Sequence, residues 1–320
     1  RPASAGDSAL RTAGLVSGSR DGTVRIWDLD SRQVRHTLCG HTSAVTGVAF
    51  TPDGATVISS GLDQSVRIWD PYTGQALYTL NGYTNIIISL AFSHDGRLLA
   101  SGSSDHTVCV WQGEAGQLRH TLQGHRDRVK AVAFSPDGAT LASSSLDQTV
   151  RTWQLTSGRL LQSHSSQNNW TGSIVFTPAG QLIAGGSADE TVHVWDPRRG
   201  TMLHILREHA SLVKSVAFSS DGQVLASGSW DQTVCIWELR PSEEGAVHLA
   251  PRHKLYGHQS PIESLAIGAG GPGGARLVAS GGGEQSLPRL ANCGEQPPES
   301  QDQDLLPGGN GGGLVRALCP

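Results

Sequence analysis

Residues 124–154 read GHRDRVKAVAFSPDGATLASSSLDQTVRTWQ, and this stretch decides the architecture. Val129, Val132 and Phe134, with Ala131 and Ala133 among them, form a short apolar run. Such a run is expected of a strand packed on both faces. Ser135-Pro136-Asp137-Gly138 is a turn, in which Pro fixes φ and Gly supplies a positive φ without steric cost. Residues 141–145 are predicted as a second strand, Leu146-Asp147-Gln148 as a turn and residues 149–153 as a third strand. Residues 158–161 supply a fourth. A four-stranded unit with two apolar faces cannot bury either face alone, so it must stack against its own kind.

The copies are present. Trp27, Trp69, Trp111, Trp153, Trp195 and Trp237 stand 42 residues apart, each with an aspartate six residues upstream: Asp21, Asp63, Asp105, Asp147, Asp189 and Asp231. A period of this length marks the blades of a propeller. The Gly-His pairs Gly40-His41, Gly124-His125 and Gly257-His258 and the Trp-Asp pairs Trp27-Asp28, Trp69-Asp70 and Trp195-Asp196 recur in phase with it. The pattern resembles the WD40 repeat family over residues 13–283. The resemblance implies an all-β fold, a β-propeller of four-stranded antiparallel blades, and no cofactor.

The ends break the rhythm. Only twelve residues precede the first recognisable strands, and this start is expected to be poorly ordered. After Ser280 the next Asp and Trp never arrive, and residues 284–320 are rich in Gly, Pro and Gln. That tail is expected to be disordered. The count gives seven blades, the first lacking its inner and outer strands and the last lacking its third. The alternative is a six-bladed ring in which C-terminal strands complete the N-terminal half-blade. Residues 241–247 exceed the repeat and read as a lengthened surface loop. The chain opens at Arg1 without Met, as expected of a fragment or processed form.

Composition excludes several classes. A net charge of −4 gives no general attraction for nucleic acid or anionic membrane. No apolar run approaches the roughly 18 residues that span a bilayer, and no signal-peptide pattern opens the chain. The five cysteines, Cys39, Cys109, Cys235, Cys293 and Cys319, show neither metal nor disulfide spacing. An intracellular setting is expected, cytoplasmic or nuclear or both.

Ser, His and Asp recur together, as in His125, Ser145, Asp147 and Trp153 and again in His209, Ser229, Asp231 and Trp237. A catalytic triad needs an exposed nucleophile beside an oxyanion hole, and an enzyme rarely needs several copies. In the family these four positions form a buried hydrogen-bond tetrad, so the resemblance implies a structural role and no catalysis. Tyr83 and Gln167 replace the histidine in two repeats, and Gly61 is read as replacing the serine in a third.

The resemblance also implies three positions per repeat on the narrow top face: three and five residues after the histidine, and one before the aspartate. They are Ala44, Thr46 and Leu62; Ile86, Ile88 and Ser104; Arg128, Lys130 and Leu146; Trp170, Gly172 and Ala188; Leu212, Lys214 and Trp230; Pro261 and Glu263; and Arg20. Turn positions are normally polar, so Trp230 and Trp170 stand out, and aromatics beside cations are the usual composition of binding hot spots. The expected partner is a protein or peptide with apolar anchors and acidic flanks, held in a multiprotein complex.

Residues 183–198, IAGGSADETVHVWDPR, and 225–240, LASGSWDQTVCIWELR, fit the sixteen-residue box of WD40 substrate receptors for cullin-RING ubiquitin ligases. There Asp196 with Arg198, and Glu238 with Arg240, would dock the ligase adaptor. The other repeats end on Asp30, Tyr72, Glu114 or Thr156 and do not fit. The leading expectation is a non-enzymatic scaffold acting through its top face. The alternatives are such a receptor, or the regulatory sensor tail of a larger signalling protein.

Overall fold

The computed structural model describes residues 14–28, 31, 33–51, 53–80, 85–112, 116–166, 169–241, 247–268, 277–282, 289–292 and 314–318. Blade four shows how a repeat folds. Its strands are Val129–Phe134, Thr140–Ser145, Thr149–Gln154 and Arg159–Ser165, antiparallel and paired in chain order. The predicted turn at Ser135 is closed by the Gly138 amide on the Ser135 carbonyl (2.9 Å), with Gly138 at φ +65°. Asp137 accepts from the Ser135 hydroxyl and the Ala139 amide, which fixes the turn from inside.

Seven antiparallel sheets are present among the described residues, six of four strands and one of three. Blades two, three, five and six span residues 45–80, 87–122, 171–207 and 213–255. Blade one contains Gly14–Gly18, Val24–Asp28 and Gln33–Leu38, and its inner place is taken by Leu314–Leu318 from the other end of the chain. That strand packs between the inner strands of blades seven and two, so the ring closes. Blade seven consists of Ile262–Gly268, Leu277–Gly282 and Arg289–Asn292.

Three expectations about the ends need correction. Blade one has its outer strand, Gln33–Leu38, and the chain terminus supplies its inner one. Blade seven has a third strand, and the place without a strand among the described residues is the outermost. The segment 284–320, expected to be disordered, contributes two strands. The bulk composition of this tail hid the short apolar run LVRAL at 314–318. The expected poorly ordered start at 1–12 and the rest of 284–320 lie outside the described residues, as do Tyr83 and Gln167. Of the lengthened surface loop expected at 241–247, Pro241 and Val247 end a ladder in which Val234–Pro241 pairs with Val247–Leu255, and 242–246 lie outside the described residues.

The core lies between blades rather than within them. Ala100, Val108, Val110 and Leu122 of blade three pack with Val129, Val132, Leu141 and Trp153 of blade four. The other face of blade four, Ala131, Ala142 and Val150, packs with Ile174, Phe176, Ile183 and Trp195 of blade five. Each buried aliphatic or aromatic side chain contributes roughly 1.5–3 kcal/mol, so these interfaces dominate stability. No helix among the described residues is long and apolar enough to cross a membrane.

Deleting residues 293–320 removes the strand that fills the inner place of blade one and leaves an unpaired edge. The expected outcome is a lower thermal midpoint in calorimetry and aggregation on light scattering. A truncated chain that melts like the full one would show that the ring does not depend on this strand.

Candidate functional site

The recurring Ser-His-Asp cluster is a hydrogen-bond chain within a blade. In blade four the Trp153 indole N–H donates to Ser143 Oγ (2.8 Å), and Ser143 Oγ lies 2.8 Å from His125 Nε2. The Asp147 carboxylate on Nδ1 can only accept and burial keeps the ring neutral, so Nε2 carries no proton and accepts the Ser143 hydroxyl hydrogen. The imidazole proton therefore sits on Nδ1 and is donated to Asp147 Oδ2 (2.9 Å). Blade six repeats this with Trp237, Ser227, His209 and Asp231, and blade two with Trp69, Ser59, His41 and Asp63.

The serine is thus two positions earlier than the sequence reading placed it. Ser145 and Ser229 are not members of the chain. The Ser145 hydroxyl donates to the Asp127 carbonyl (2.8 Å) and accepts from the Asp147 amide, and Ser229 does the same with Ser211 and Asp231. Residues 143 and 145 face the same side of one strand, so periodicity cannot separate them. Only Ser143 lies within reach of the indole, which sits opposite Leu141. It follows that Gly61 breaks nothing: blade two is complete through Ser59.

The other blades carry partial chains. Trp27 donates to Ser17 (2.8 Å), and Trp111 reaches Ser101 at 3.4 Å. In blade seven His258 meets Ser280 (2.6 Å), while Ala291 stands opposite Val278, where blade four has its tryptophan opposite Leu141. Blade five has Gly185 at the serine position, and the buried Trp195 indole N–H finds no partner among the described residues. His193, on the same strand as Trp195, reaches Asp189 instead (3.1 Å).

Burial holds His41, His125 and His209 below the ordinary imidazole value, against the pull of their aspartates. Each contact is therefore a hydrogen bond from a neutral ring to a carboxylate rather than an ion pair. For Asp147 burial alone would raise the carboxyl. The Thr149 hydroxyl, the Arg126 amide and His125 override that and bring it to about 2. Asp231 is brought to about 2 in the same way by Thr233, the Ala210 amide and His209. Cys235, buried beside His209, is pushed up to about 12, as befits an inert thiol.

The top face is built by two backbone devices that the sequence did not reveal. Inner strands of blades two to seven each begin with a β-bulge, and the residue skipped in the register is Thr46, Ile88, Lys130, Gly172, Lys214 or Glu263. A bulged residue is released from the ladder and its side chain is re-aimed. The second device is a backbone hydrogen bond joining the other two positions: Leu62 to Ala44, Ser104 to Ile86, Leu146 to Arg128, Ala188 to Trp170 and Trp230 to Leu212, each 2.8–3.1 Å. All three positions of a blade are thereby gathered at one end.

The side chains there differ. Trp230 is 44% exposed, beside half-buried Leu212, and Leu62, Arg20 and Arg128 are exposed. Ile86, Ile88 and Leu146 are half-buried. Trp170 does not project: it lies over Gly172 and under the Lys130 ammonium, whose nitrogen is 5.4 Å from the ring centroid. Lys214 reaches Glu263 at 3.8 Å.

At the opposite end, Arg198 is exposed and lines a groove of about 300 Å³ between blades four and five with Asp137, Leu161, Phe176 and Pro197. Its own amide is fixed by Asp196 (2.8 Å). Arg240, in the long hairpin of blade six, is 65% exposed and pairs with Glu238 (2.9 Å). The described residues hold no cluster of three or more metal-ligating side chains.

Residues 4–28, 32–70, 74–112, 116–154, 157–196 and 200–238 match the WD domain, G-beta repeat, well over half of the chain. The chain belongs to the WD40 repeat family. Among curated proteins it is similar to Ribosome assembly protein 4 of Chaetomium thermophilum, 49% identical over 47 residues, 15% of this chain and 9% of the relative. Nuclear distribution protein PAC1 of Mycosarcoma maydis is 42% identical over 59 residues, 18% of this chain and 13% of the relative. The human F-box-like/WD repeat-containing protein TBL1Y is 50% identical over 40 residues, 12% of this chain and 8% of the relative. The match thus spans about one blade and a small part of each relative's length.

Two outcomes test the tetrads. Ser143→Ala orphans two buried groups and is expected to cost about 1–3 kcal/mol in denaturant unfolding and to shift the Trp153 indole N–H resonance. Ser145→Ala should leave that resonance in place, and the reverse pattern would restore Ser145 to the chain. The second outcome concerns acid. With folded histidine values below 6.5 and folded aspartate values near 2, the unfolded chain takes protons first in both ranges. Stability is therefore complete above about pH 6.5 and is lost as pH falls through the folded histidine values, with a second loss between about pH 4 and 2. Calorimetry from pH 8 to 3 checks this, and a melting point that rises on acidification contradicts it.

Proposed function

We propose that this WD40 chain is a non-enzymatic scaffold that binds protein or peptide segments on its top face. The observation that carries the reading is the sector formed by blades four to six. There Trp230 and Leu212 offer an open apolar surface, and Arg128, Lys130 and Lys214 supply positive charge. Exposed aromatics ringed by cations are the composition of binding hot spots. The histidines and serines of the tetrads are buried and engaged with one another, which leaves no free nucleophile–base pair in them to support hydrolysis. With a negative net charge, nucleic acid and anionic membrane are poor partners. An intracellular site of action, cytoplasmic or nuclear, accords with the names of the relatives, two of which refer to ribosome assembly and nuclear distribution.

A second reading has an observation of its own. Arg198 stands exposed in the groove at the end opposite Trp230 and is free to meet another protein there, as docking to a cullin-RING ligase adaptor would require. Arg240 is less available because Glu238 holds it. The two readings are compatible, since a receptor needs one face for substrate and another for the ligase.

Affinity capture with mass spectrometry separates them, once each variant is shown to melt like the parent. Trp230→Ala combined with Arg128→Glu is expected to lose most partners. Arg198→Ala combined with Arg240→Ala should lose adaptor and cullin alone if the second reading holds. An unchanged partner set in the Trp230 variant would refute the top-face reading.

A further inference from the structure

The bulge residues of blades four, five and six are Lys130, Gly172 and Lys214. Two cations thus flank a position with no side chain. Trp170 fills part of that space: its Cζ3 lies 2.8 Å from the point where a Cβ on residue 172 would sit. The ring also supports Lys130 through a cation–π contact (5.4 Å). Arg128, two residues before Lys130, is exposed at the same end.

No carboxylate meets Lys130 among the described residues. Its side chain is half-buried, and burial, then Lys214, then Arg128 all push its pKa below the ordinary lysine value. Lys214 has a counter-ion in Glu263, at a loose 3.8 Å. Only the Trp170 face offsets a half-buried ammonium that is repelled by two cations and meets no anion among the described residues, an arrangement that folding alone does not favour. Its complement is a negative charge supplied from outside.

We propose that the surface around the Lys130 ammonium, where it rides on the Trp170 ring that covers Gly172, is an anion subsite for one acidic side chain of a bound peptide, a carboxylate or a phosphate monoester. Lys130 is its main contact, and Lys214 and Arg128 stand at its sides. The neighbouring Trp230–Leu212 surface then takes an apolar residue of the same peptide, which sets the order of acid and anchor along it. This inference rests on the top-face reading and sharpens it.

The test uses the full chain and three fluorescein-labelled peptide pools of equal length, each with a fixed leucine at varied distance from a central glutamate, phosphoserine or serine. Fluorescence polarisation should show the glutamate or phosphoserine pool binding more tightly than the serine pool, and which of the two is tighter identifies the source of the charge. Lys130→Gln should weaken the acidic pools about tenfold, with Lys130→Arg restoring binding. Because the substitution removes a repelled charge, its melting point should hold or rise. Loss of binding together with a lower melting point would assign Lys130 to propping Trp170 and overturn the proposal. Equal binding of all three pools, abolished by Trp230→Ala and indifferent to Lys130→Gln, would remove the anion subsite and leave the top-face reading intact. Failure of every pool to bind the parent chain would remove both.

Discussion

A blade of this protein cannot bury its own faces, and everything else follows from that constraint. Each apolar cluster is shared by two blades: Trp153 belongs to the interface with blade three, and Ala142 on the same sheet to the interface with blade five. Removing one blade would therefore expose two interfaces. The strand Leu314–Leu318, drawn from the far end of the chain, matters for this reason. It couples the two termini and makes the ring one cooperative body instead of an open stack with two bare faces.

Against that background the Trp-Ser-His-Asp chains hold second place. Blade five decides the ranking. It has Gly185 at the serine position, and its Trp195 indole has no partner among the described residues, yet Trp195 is fully buried. An orphaned donor costs roughly 1–3 kcal/mol. Burial of the apolar side chains around it returns more than that from a few residues. The blade therefore stands on packing. Complete chains appear in blades two, four and six, where they fix the path of the chain between strands and tie each inter-blade loop to the turn beside it. Asp147 does this directly by accepting the Arg126 amide in the loop and the Thr149 amide in the turn.

Much of this was legible in the residues. The tryptophan period gave the blades, and the Asp-Gly turns gave the joints between their first two strands, because both signals depend on residue type at fixed spacing. The tetrad serine was not legible, since Leu141–Ser145 offers serines at 143, 144 and 145 and two of them share a face. Nor was ring closure, because a five-residue strand inside a Gly- and Pro-rich tail carries little signal of its own. The bulges at Lys130 and its equivalents left no trace in composition. A bulge is a mismatch between two strands, and it exists only once they are paired.

The bulges also explain how one repeat can be rigid and its top face free to vary. The backbone bonds from Leu146 to Arg128 and from Trp230 to Leu212 use only main-chain atoms, so they are indifferent to side-chain identity. The bulged residue is outside the ladder, so its side chain is released from strand alternation, although the Thr46 hydroxyl still bonds to Ser60 and donates to the Ile87 carbonyl. Three positions per blade are held in place by groups that place no demand on what they carry. Glycine, lysine, threonine, isoleucine and glutamate all occur at the bulge in this one chain. Selection on binding can therefore act on these positions at little cost to the fold. A combination that folding does not favour, such as the repelled ammonium of Lys130, points to a demand from outside the propeller.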